Sequence, residues 1–475
     1  MLKLNLNLDG SEHLYLQIYT NIAAQIRSGQ LAPGSRLPGK RSLAAQLAVA
    51  VNTVDTAYQM LLAEGYLESR QRSGFFVLPY TDMLKPPARA EQPAQTAENS
   101  IYRYDLSTGS VDTALFPFRT WGRIQKELLY NGEELLHHGE RSGDADLRHA
   151  IAQYLRAYRG VECGSEQIVV GAGMEYLLGL VAQLLRGSTA AIENPGYGRS
   201  RTILENCGVS CRCVEIDESG LAMEGLERSG ANLCYVTPSH HFPTGVTMPV
   251  GRRAQLLQWA QSVEGRYIIE DDYDAEFRFD MRPLPSLQGM AGRGGPVIYL
   301  CTFSKSLAPG IRIACMVLPE ALLPRWRKKF GAYANTVSRF EQQTLRRFLE
   351  DGHFTRHLSR MRKAYKSRME LLCDVLEEKF GKGNISLQGR HTGLHLLLTL
   401  RDAPGEEQMV AAAAREGVRL RGLSEYYMER REDCPGNTVV IGYASVADRE
   451  IPALVAALHR SWSGLGMKTR LDKRK

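Results

Sequence analysis

Residues 297–312 read Val-Ile-Tyr-Leu-Cys-Thr-Phe-Ser-Lys-Ser-Leu-Ala-Pro-Gly-Ile-Arg, an apolar run that opens into a hydroxyl-rich turn around Lys305. The run Val297–Thr302 has the composition of a short strand buried on both faces. Thr302, Ser304 and Ser306 then surround the lysine. An amine at such a strand end loses part of its hydration. That favours its neutral, nucleophilic form and suits Schiff-base chemistry. Arg312 follows seven positions on and carries the planar fork that grips a phosphate through two hydrogen bonds. Taken by itself, the stretch has a simpler reading, a surface lysine in a serine-rich loop.

Four neighbouring segments shift the balance. Arg266–Glu270 reads as a strand and runs into Asp271-Asp272-Tyr273; Gln167–Val170 is followed by Gly171-Ala172-Gly173-Met174-Glu175. Thr189–Glu193 leads to Asn194-Pro195-Gly196-Tyr197, and Asn232–Thr237 to Pro238-Ser239-His240-His241-Phe242-Pro243-Thr244-Gly245. Cys211–Ile216 is one more strand-like run. Apparent helices separate several of these runs, which predicts an α/β body with a mainly parallel sheet covered on both faces. The chemistry-bearing turns all fall at carboxyl ends of strands, where open α/β sheets bind ligands. A strand-end Asp can pair with a protonated ring nitrogen, and a glycine turn that opens a helix can hold phosphate.

Past about residue 320 the pattern changes. A helical stretch over 341–380 precedes strands near 385–400 and 437–443 and a final helix from Asp448, which reads as a smaller α+β domain. Before the body lies a segment, 79–104, rich in Pro, Ala and Gln and poor in large aliphatics, which reads as a linker. The predicted organisation is a head over 1–78, the linker 79–104, a large domain over 105–320 and a small one over 321–475.

The head reads as a helix (Leu14 to Ile26), a short helix (Leu43, Leu47, Val49), a helix with the stripe Val54, Ala57, Leu61 and Leu62, and a hairpin. Asn52 and Thr53 are expected to cap the third helix, and Arg70–Ser73 to form the hairpin turn. This is the layout of a winged helix-turn-helix. Arg36, Lys40, Arg41, Arg70 and Arg72 concentrate in two loops, although the head holds only seven Lys and Arg against five Asp and Glu.

The whole chain has 475 residues, 44% hydrophobic and 23% charged, which excludes collagen-like, mainly disordered and disulfide-scaffold classes. A net charge of +7 permits nucleic-acid contact without requiring it. Nine scattered cysteines suit a reducing compartment. The closest of them, Cys207, Cys211 and Cys213, lack the paired spacing of a zinc site, so no metal is expected. No apolar run reaches the roughly 18 residues of a membrane span, and the first residues lack a signal-peptide core. The expected location is the cytoplasm.

These motifs together resemble a known family. The head, LYLQIYTNIAAQIRSGQLAPGSRLPGKRSLAAQLAVAVNTVDTAYQMLLAEGYLESRQRSGFFV, resembles the GntR-family winged helix, and the body resembles a fold-type I pyridoxal-phosphate aminotransferase. In this order, with IIEDDYDAEFRF, TPSHHFPTG and TFSKSLAPGIRI, they resemble the MocR/GabR-type transcriptional regulators. The resemblance implies pyridoxal phosphate held on Lys305 as a Schiff base. Asp271, with Asp272 as the register alternative, would meet the pyridine nitrogen. Tyr273 would lie near the ring oxygen, Tyr197 would stack on the ring, and Gly173, Thr302, Ser304 and Arg312 would hold the phosphate. Arg199 matches a position that receives an effector carboxylate, with Arg201 and Arg421 as further candidates. In the head the resemblance puts Arg41, Asn52 and Thr53 near DNA, with Arg36 and Lys40 at phosphates and Arg72 and Gly74 at the wing tip. A homodimer is implied, because fold-type I sites form between two subunits.

Departures from the family pattern matter. Phe242 stands where aminotransferases usually carry an Asn that contacts the ring oxygen, so that contact is lost or falls to His240 or His241. Met174 replaces a Ser or Thr of the phosphate turn. Val440 occupies the region of the arginine that grips an α-carboxylate. The expected function is therefore a DNA-binding regulator that senses pyridoxal phosphate or an amine or amino-acid effector, with slow half-transamination as a side reaction. An active aminotransferase with a DNA-binding head is the alternative.

Overall fold

A computed structural model of the chain describes residues 4, 6, 12–79, 102–279, 284–401, 403, 405–429 and 434–463. Most of the expected linker and the basic tail 468–475 lie outside the described residues. The chain separates into two units, Met1–Glu98 and Asn99–Lys475.

The first unit runs α1 (Leu14–Arg27), β1 (Arg36–Leu37), α2 (Lys40–Leu47), α3 (Val51–Ala63), β2 (Leu67–Arg70) and β3 (Gly74–Val77). Ile18 and Ile22 of α1 and Val54, Ala57 and Leu61 of α3 are fully buried in one core. Each large aliphatic there stabilises the fold by roughly 1.5–3 kcal/mol. The wing is a three-stranded antiparallel sheet, β1-β3-β2. β1 was not expected, because two residues inside a Pro/Gly connector carry no period; β3 defines it by pairing Arg36 with Phe76 and Leu37 with Phe75. α2 stops at Leu47 because Ala48 turns left-handed (φ +56°), which leaves Val49 outside the helix. The expected cap is corrected as well. Ala50 holds the cap position of α3 without a side-chain bond, so Asn52 and Thr53 lie in the first turn, and the Thr53 N–H is satisfied by the Ala50 carbonyl at 3.0 Å.

In the second unit the short strand β4 (Tyr104–Asp105) precedes an eight-stranded sheet. Its strands are β5 (Ile168–Gly171), β6 (Thr189–Asn194), β7 (Ser210–Asp217), β8 (Gly220–Leu221), β9 (Leu233–Val236), β10 (Tyr267–Asp272), β11 (Val297–Thr302) and β12 (Ala314–Val317). The order is β5-β12-β11-β10-β9-β6-β7-β8. β7, β6, β9, β10 and β11 are parallel, as expected, whereas β12 runs antiparallel to both of its neighbours and β8 to β7. Alternate residues feed cores on the two faces: Ile269, Leu300 and Met316 pack with helix Met174–Leu184, and Tyr299, Cys301 and Cys315 with helix Ala145–Arg159.

β12 matters to the site. It pairs Ala314 with Thr302 on one side and with Gly171 on the other. The chain that leaves β11 through Lys305 therefore returns between β11 and β5. Arg312 arrives beside the glycine turn that follows β5.

The smaller lobe contains β13 (Ile385–Gln388), β14 (His395–Leu400), β15 (Val418–Arg419), β16 (Arg421–Gly422) and β17 (Thr438–Gly442), with sheet order β13-β14-β17-β16. The stretch expected as one helix over 341–380 is two, Arg339–Glu350 and His353–Phe380. Gly352 breaks it in the left-handed conformation (φ +69°). Residues from 105 onward are expected in the large domain. The structure instead pairs β4 in parallel with β15 and buries Tyr104 and Leu106 in the smaller lobe's core.

Candidate functional site

A cavity of about 230 Å³ opens at the carboxyl ends of the parallel strands. Tyr197, Arg199, Asp271, Tyr273, Thr302, Ser304, Lys305 and Arg312 all line it, although the chain brings them from positions more than a hundred residues apart. Thr108, Glu175, Thr237 and Phe242 also line it.

Lys305 sits just past β11, and its Nζ donates to the Thr108 carbonyl. Burial pulls its ammonium down from 10.5 to about 8, against the charge of Asp274. An amine tuned this way is partly neutral near physiological pH, which is what attack on an aldehyde requires. Thr108 was missed in the sequence. It carries no motif, and its carbonyl reaches the lysine only because β4 and the Leu106 bonds to Arg419 and Gly442 (both 2.8 Å) pin the preceding segment.

Asp271 and Asp272 end β10 on opposite faces, and the alternation settles which one lines the cavity. Asp272 is engaged elsewhere, 2.6 Å from Arg159 Nε and 2.5 Å from Tyr299 Oη. Burial works to raise Asp272, but the Arg159 charge and the surrounding hydrogen bonds outweigh it and hold the carboxyl below its usual range. Asp271 accepts a hydrogen bond from Tyr235 through Oδ2, while its buried Oδ1 has no partner. Burial lifts Asp271 to about 7, against the Tyr235 bond. A buried acid with one unsatisfied oxygen is costly unless a cation or N–H donor meets it. A protonated aromatic ring nitrogen satisfies both needs.

Beside the cavity, the Arg312 side chain lies against the positive-φ turn at Gly173. Gly173 has φ +100°, and a Cβ there would lie 2.3 Å from Arg312 Nη2. Arg312 is itself left-handed (φ +53°) and donates from Nη2 to the Ala172 carbonyl at 3.1 Å. The helix Met174–Leu184 begins at this point and points its free N–H groups the same way. Thr302 Oγ1 bonds Ser304 Oγ at 2.9 Å and accepts from the Ser304 N–H at 3.1 Å, which closes the turn before Lys305.

The remaining wall is aromatic. The Phe242 ring stands edge-on to Tyr197 (5.9 Å), Tyr273 (6.2 Å) and Tyr426 (5.1 Å). Arg199 Nη1 lies 2.8 Å from Glu175 Oε1, which also accepts from Tyr197 Oη at 3.3 Å. Arg421 does not line the cavity; it pairs with Glu425 at 3.8 Å and stands directly opposite Val440 across β16 and β17. Val440 is buried with Leu397 and Leu423. Arg201 turns away to Glu205 and Glu429.

In the head, Arg36, Arg41, Asn52 and Arg72 are exposed, and Thr53 and Gly74 half-buried. Arg72 takes a left-handed turn (φ +60°) at the wing. Lys40 is less free: it pairs with Asp55 and lies 5.2 Å from the Phe75 ring centroid.

Fold and cavity together define a class: a winged-helix head on an aminotransferase-like α/β body. Residues 104–458 match the family "Aminotransferase class I and II", and residues 14–77 match "Bacterial regulatory proteins, gntR family". The chain is 36% identical over 453 residues to an uncharacterized HTH-type transcriptional regulator, YdeL of Bacillus subtilis, covering 94% of this chain and 96% of that one. It is 32% identical to the probable rhizopine catabolism regulatory protein MocR of Rhizobium meliloti, over 97% and 96% of the two chains. The multiple substrate aminotransferase of Thermococcus profundus shares the body's fold, with a TM-score of 0.69 at 23% identity over 81% of this chain and 97% of that one. The chain belongs to the MocR-type family, GntR regulators fused to an aminotransferase-like domain.

Proposed function

We propose that this regulator holds pyridoxal phosphate on Lys305 and uses the occupied site as its sensor. The proposal rests on the unsatisfied, buried Oδ1 of Asp271, a residue that lines the same cavity as Lys305 and Arg312, with the Arg312 guanidinium lying against Gly173 just outside the lining. Lys305 would provide the covalent link, Asp271 would hold a proton on the ring nitrogen, and Tyr197 would cover the ring face. Gly173, Thr302, Ser304 and Arg312 would take the phosphate. When bound, the cofactor supplies an electrophile for amines and an electron sink. The chain's own residues hold it, exclude water from it and keep Lys305 neutral enough to react.

The signal is either occupancy by the cofactor itself or an amine that displaces Lys305. Val440, apolar and buried, argues for sensing over efficient transamination, because no cation at that position can hold an amino acid's carboxylate. A homodimer is part of this reading. Phe118, Leu129, Tyr130 and Leu136 expose between 67% and 77% of their surface on one short stretch, a load of apolar side chains that a second copy would cover. Two heads would then address paired half-sites, with Arg41, Asn52 and Thr53 toward the major groove, Arg36 and Lys40 at phosphates and Arg72 and Gly74 at the wing tip. The nine free cysteines support a reducing, cytoplasmic setting. Among the described residues no helix is long and apolar enough to cross a membrane.

The test is binding of the full chain to DNA from its own promoter region, with and without pyridoxal phosphate. The expected result is a change in affinity or footprint on loading that Lys305→Ala abolishes. Identical binding in both forms would overturn the sensing role.

A further inference from the structure

Beneath Tyr273 lies a buried polar cluster that the proposed cofactor contacts leave out. His240 Nδ1 is 2.8 Å from Asp274 Oδ2 and 3.1 Å from Tyr273 Oη. Tyr273 Oη also lies 3.1 Å from the His240 carbonyl. His240 and Asp274 are only 1% and 2% exposed. The imidazole is locked in place. A Cβ on Gly393 would fall within 2.0 Å of its Nδ1, Gly245 closes on its Nε2, and the His395 ring packs at 4.5 Å. His395 is itself fixed, with Nε2 donating to the Pro243 carbonyl at 3.0 Å.

The hydrogen bonds assign the tautomer. Nδ1 faces a carboxylate, so it carries the proton; Nε2 is buried with no partner. The Nδ1–H is then shared between Asp274 and the oxygen of Tyr273. A phenol that accepts at its oxygen must send its own proton elsewhere. Rotation about the C–O bond offers three acceptors: the His240 carbonyl, to which Tyr273 donates at 3.1 Å here, the Asp274 carboxylate and a group in the cavity.

Phe242 gives this arrangement a purpose. It occupies the wall beside Tyr273 and has no donor to offer. We propose that His240, held by Asp274, is a positioning residue that commits Tyr273 to act as hydrogen-bond donor to the ring oxygen of bound pyridoxal phosphate, at a wall where the Phe242 side chain supplies no donor. This rests on the cofactor reading above. The ionisable groups that face Tyr273 are Asp271 on β10, Asp274 just after it and Glu193 at the end of β6, and Lys305 after β11 lines the same cavity; His240 also faces His241 and His395.

The readout is the pH at which the Lys305 Schiff base of the loaded protein loses its proton, followed by absorbance. Deprotonation leaves the ring oxygen's charge without its neighbouring N–H, so a donor from Tyr273 favours that state and lowers the transition. His240→Leu should raise it by about half a unit to one unit, the worth of one hydrogen bond. Tyr273→Phe should raise it at least as much. His240→Asn, whose amide nitrogen can stand at the Nδ1 position, should stay near wild type. His240→Leu added to Tyr273→Phe should shift it no further. If the leucine chain does not fold, His240→Gln makes the same comparison, since its amide reaches the Nε2 position and leaves Nδ1 empty. An unshifted His240→Leu protein, or a shift that persists in the Tyr273→Phe background, overturns the positioning role while the cofactor reading stands. Absence of any Schiff-base absorbance in wild type overturns both.

Discussion

Arg199, the residue expected to receive an effector's carboxylate, already holds one: Glu175 Oε1 lies 2.8 Å from its Nη1. Both side chains are substantially exposed, 74% and 43%, so the pair itself adds little stability. Its consequence is competition. A ligand carboxylate reaches Arg199 only by displacing Glu175, and the Arg199 hydrogen bond keeps the Glu175 carboxyl below its usual range and so charged.

Glu175→Gln should therefore raise the affinity of the loaded protein for a carboxylate-bearing amine such as 5-aminopentanoate by about two- to fivefold, and leave pentylamine unchanged. Arg199→Ala should lose the preference for the carboxylate. Both are read from the change in absorbance on titration. Equal responses to the two amines in wild type and both variants would remove Arg199 from the effector site.

Gly173 tolerates no side chain. Gly173→Ala forces a strained φ and drives a methyl into the Arg312 guanidinium. Pyridoxal phosphate should bind about ten- to a hundredfold more weakly, the equivalent of 1–3 kcal/mol of strain, with little change in the far-ultraviolet spectrum. Wild-type affinity would show that the phosphate lies elsewhere.

Asp271 yields a stability prediction. Burial raises its pKa to about 7, so the folded apoprotein must ionise a buried acid that the unfolded chain ionises freely. Wild-type apoprotein should lose stability as pH rises from the ordinary carboxylate range through about 7, and Asp271→Asn should lose less. Thermal unfolding at about pH 6 and about pH 8 measures the difference; Glu193, Glu270 and Glu276 are raised too but are common to both chains. The variant should also bind the cofactor more weakly. An equal fall in both proteins would contradict the assignment.

Much of this site was legible because its chemistry sits where strands end. The apolar runs before Gly173, Tyr197, Asp271 and Lys305 mark buried strands, and each is followed at once by its polar turn. What was not legible depends on partners distant in sequence. β1 and β12 are short and exist through pairing with β3 and with β5 and β11. Thr108 acts through a carbonyl, which no residue type announces. His240 was visible as a substitute for the donor missing at Phe242, but its link through Tyr273 appears only once Asp274 and Gly393 close around the ring. Asn52 and Thr53 have capping chemistry, yet the cap of α3 falls at Ala50, two residues before Asn52, and the first turn uses them differently.

In the head, Arg41 is exposed at the start of α2, whereas Lys40 beside it is drawn toward Asp55. Arg41→Ala should weaken binding to all DNA sequences alike and reduce the slope of log affinity against log salt by about one unit. Loss confined to one operator sequence would make Arg41 a base reader.

The role proposed for Lys305 is to carry the cofactor. Borohydride reduction of the protein loaded with pyridoxal phosphate, followed by peptide mass mapping, tests it. A phosphopyridoxyl group should appear on Lys305 alone, and none in Lys305→Ala at the same loading. An adduct on another lysine, or a Lys305→Ala protein that keeps the wild-type absorbance, would contradict it.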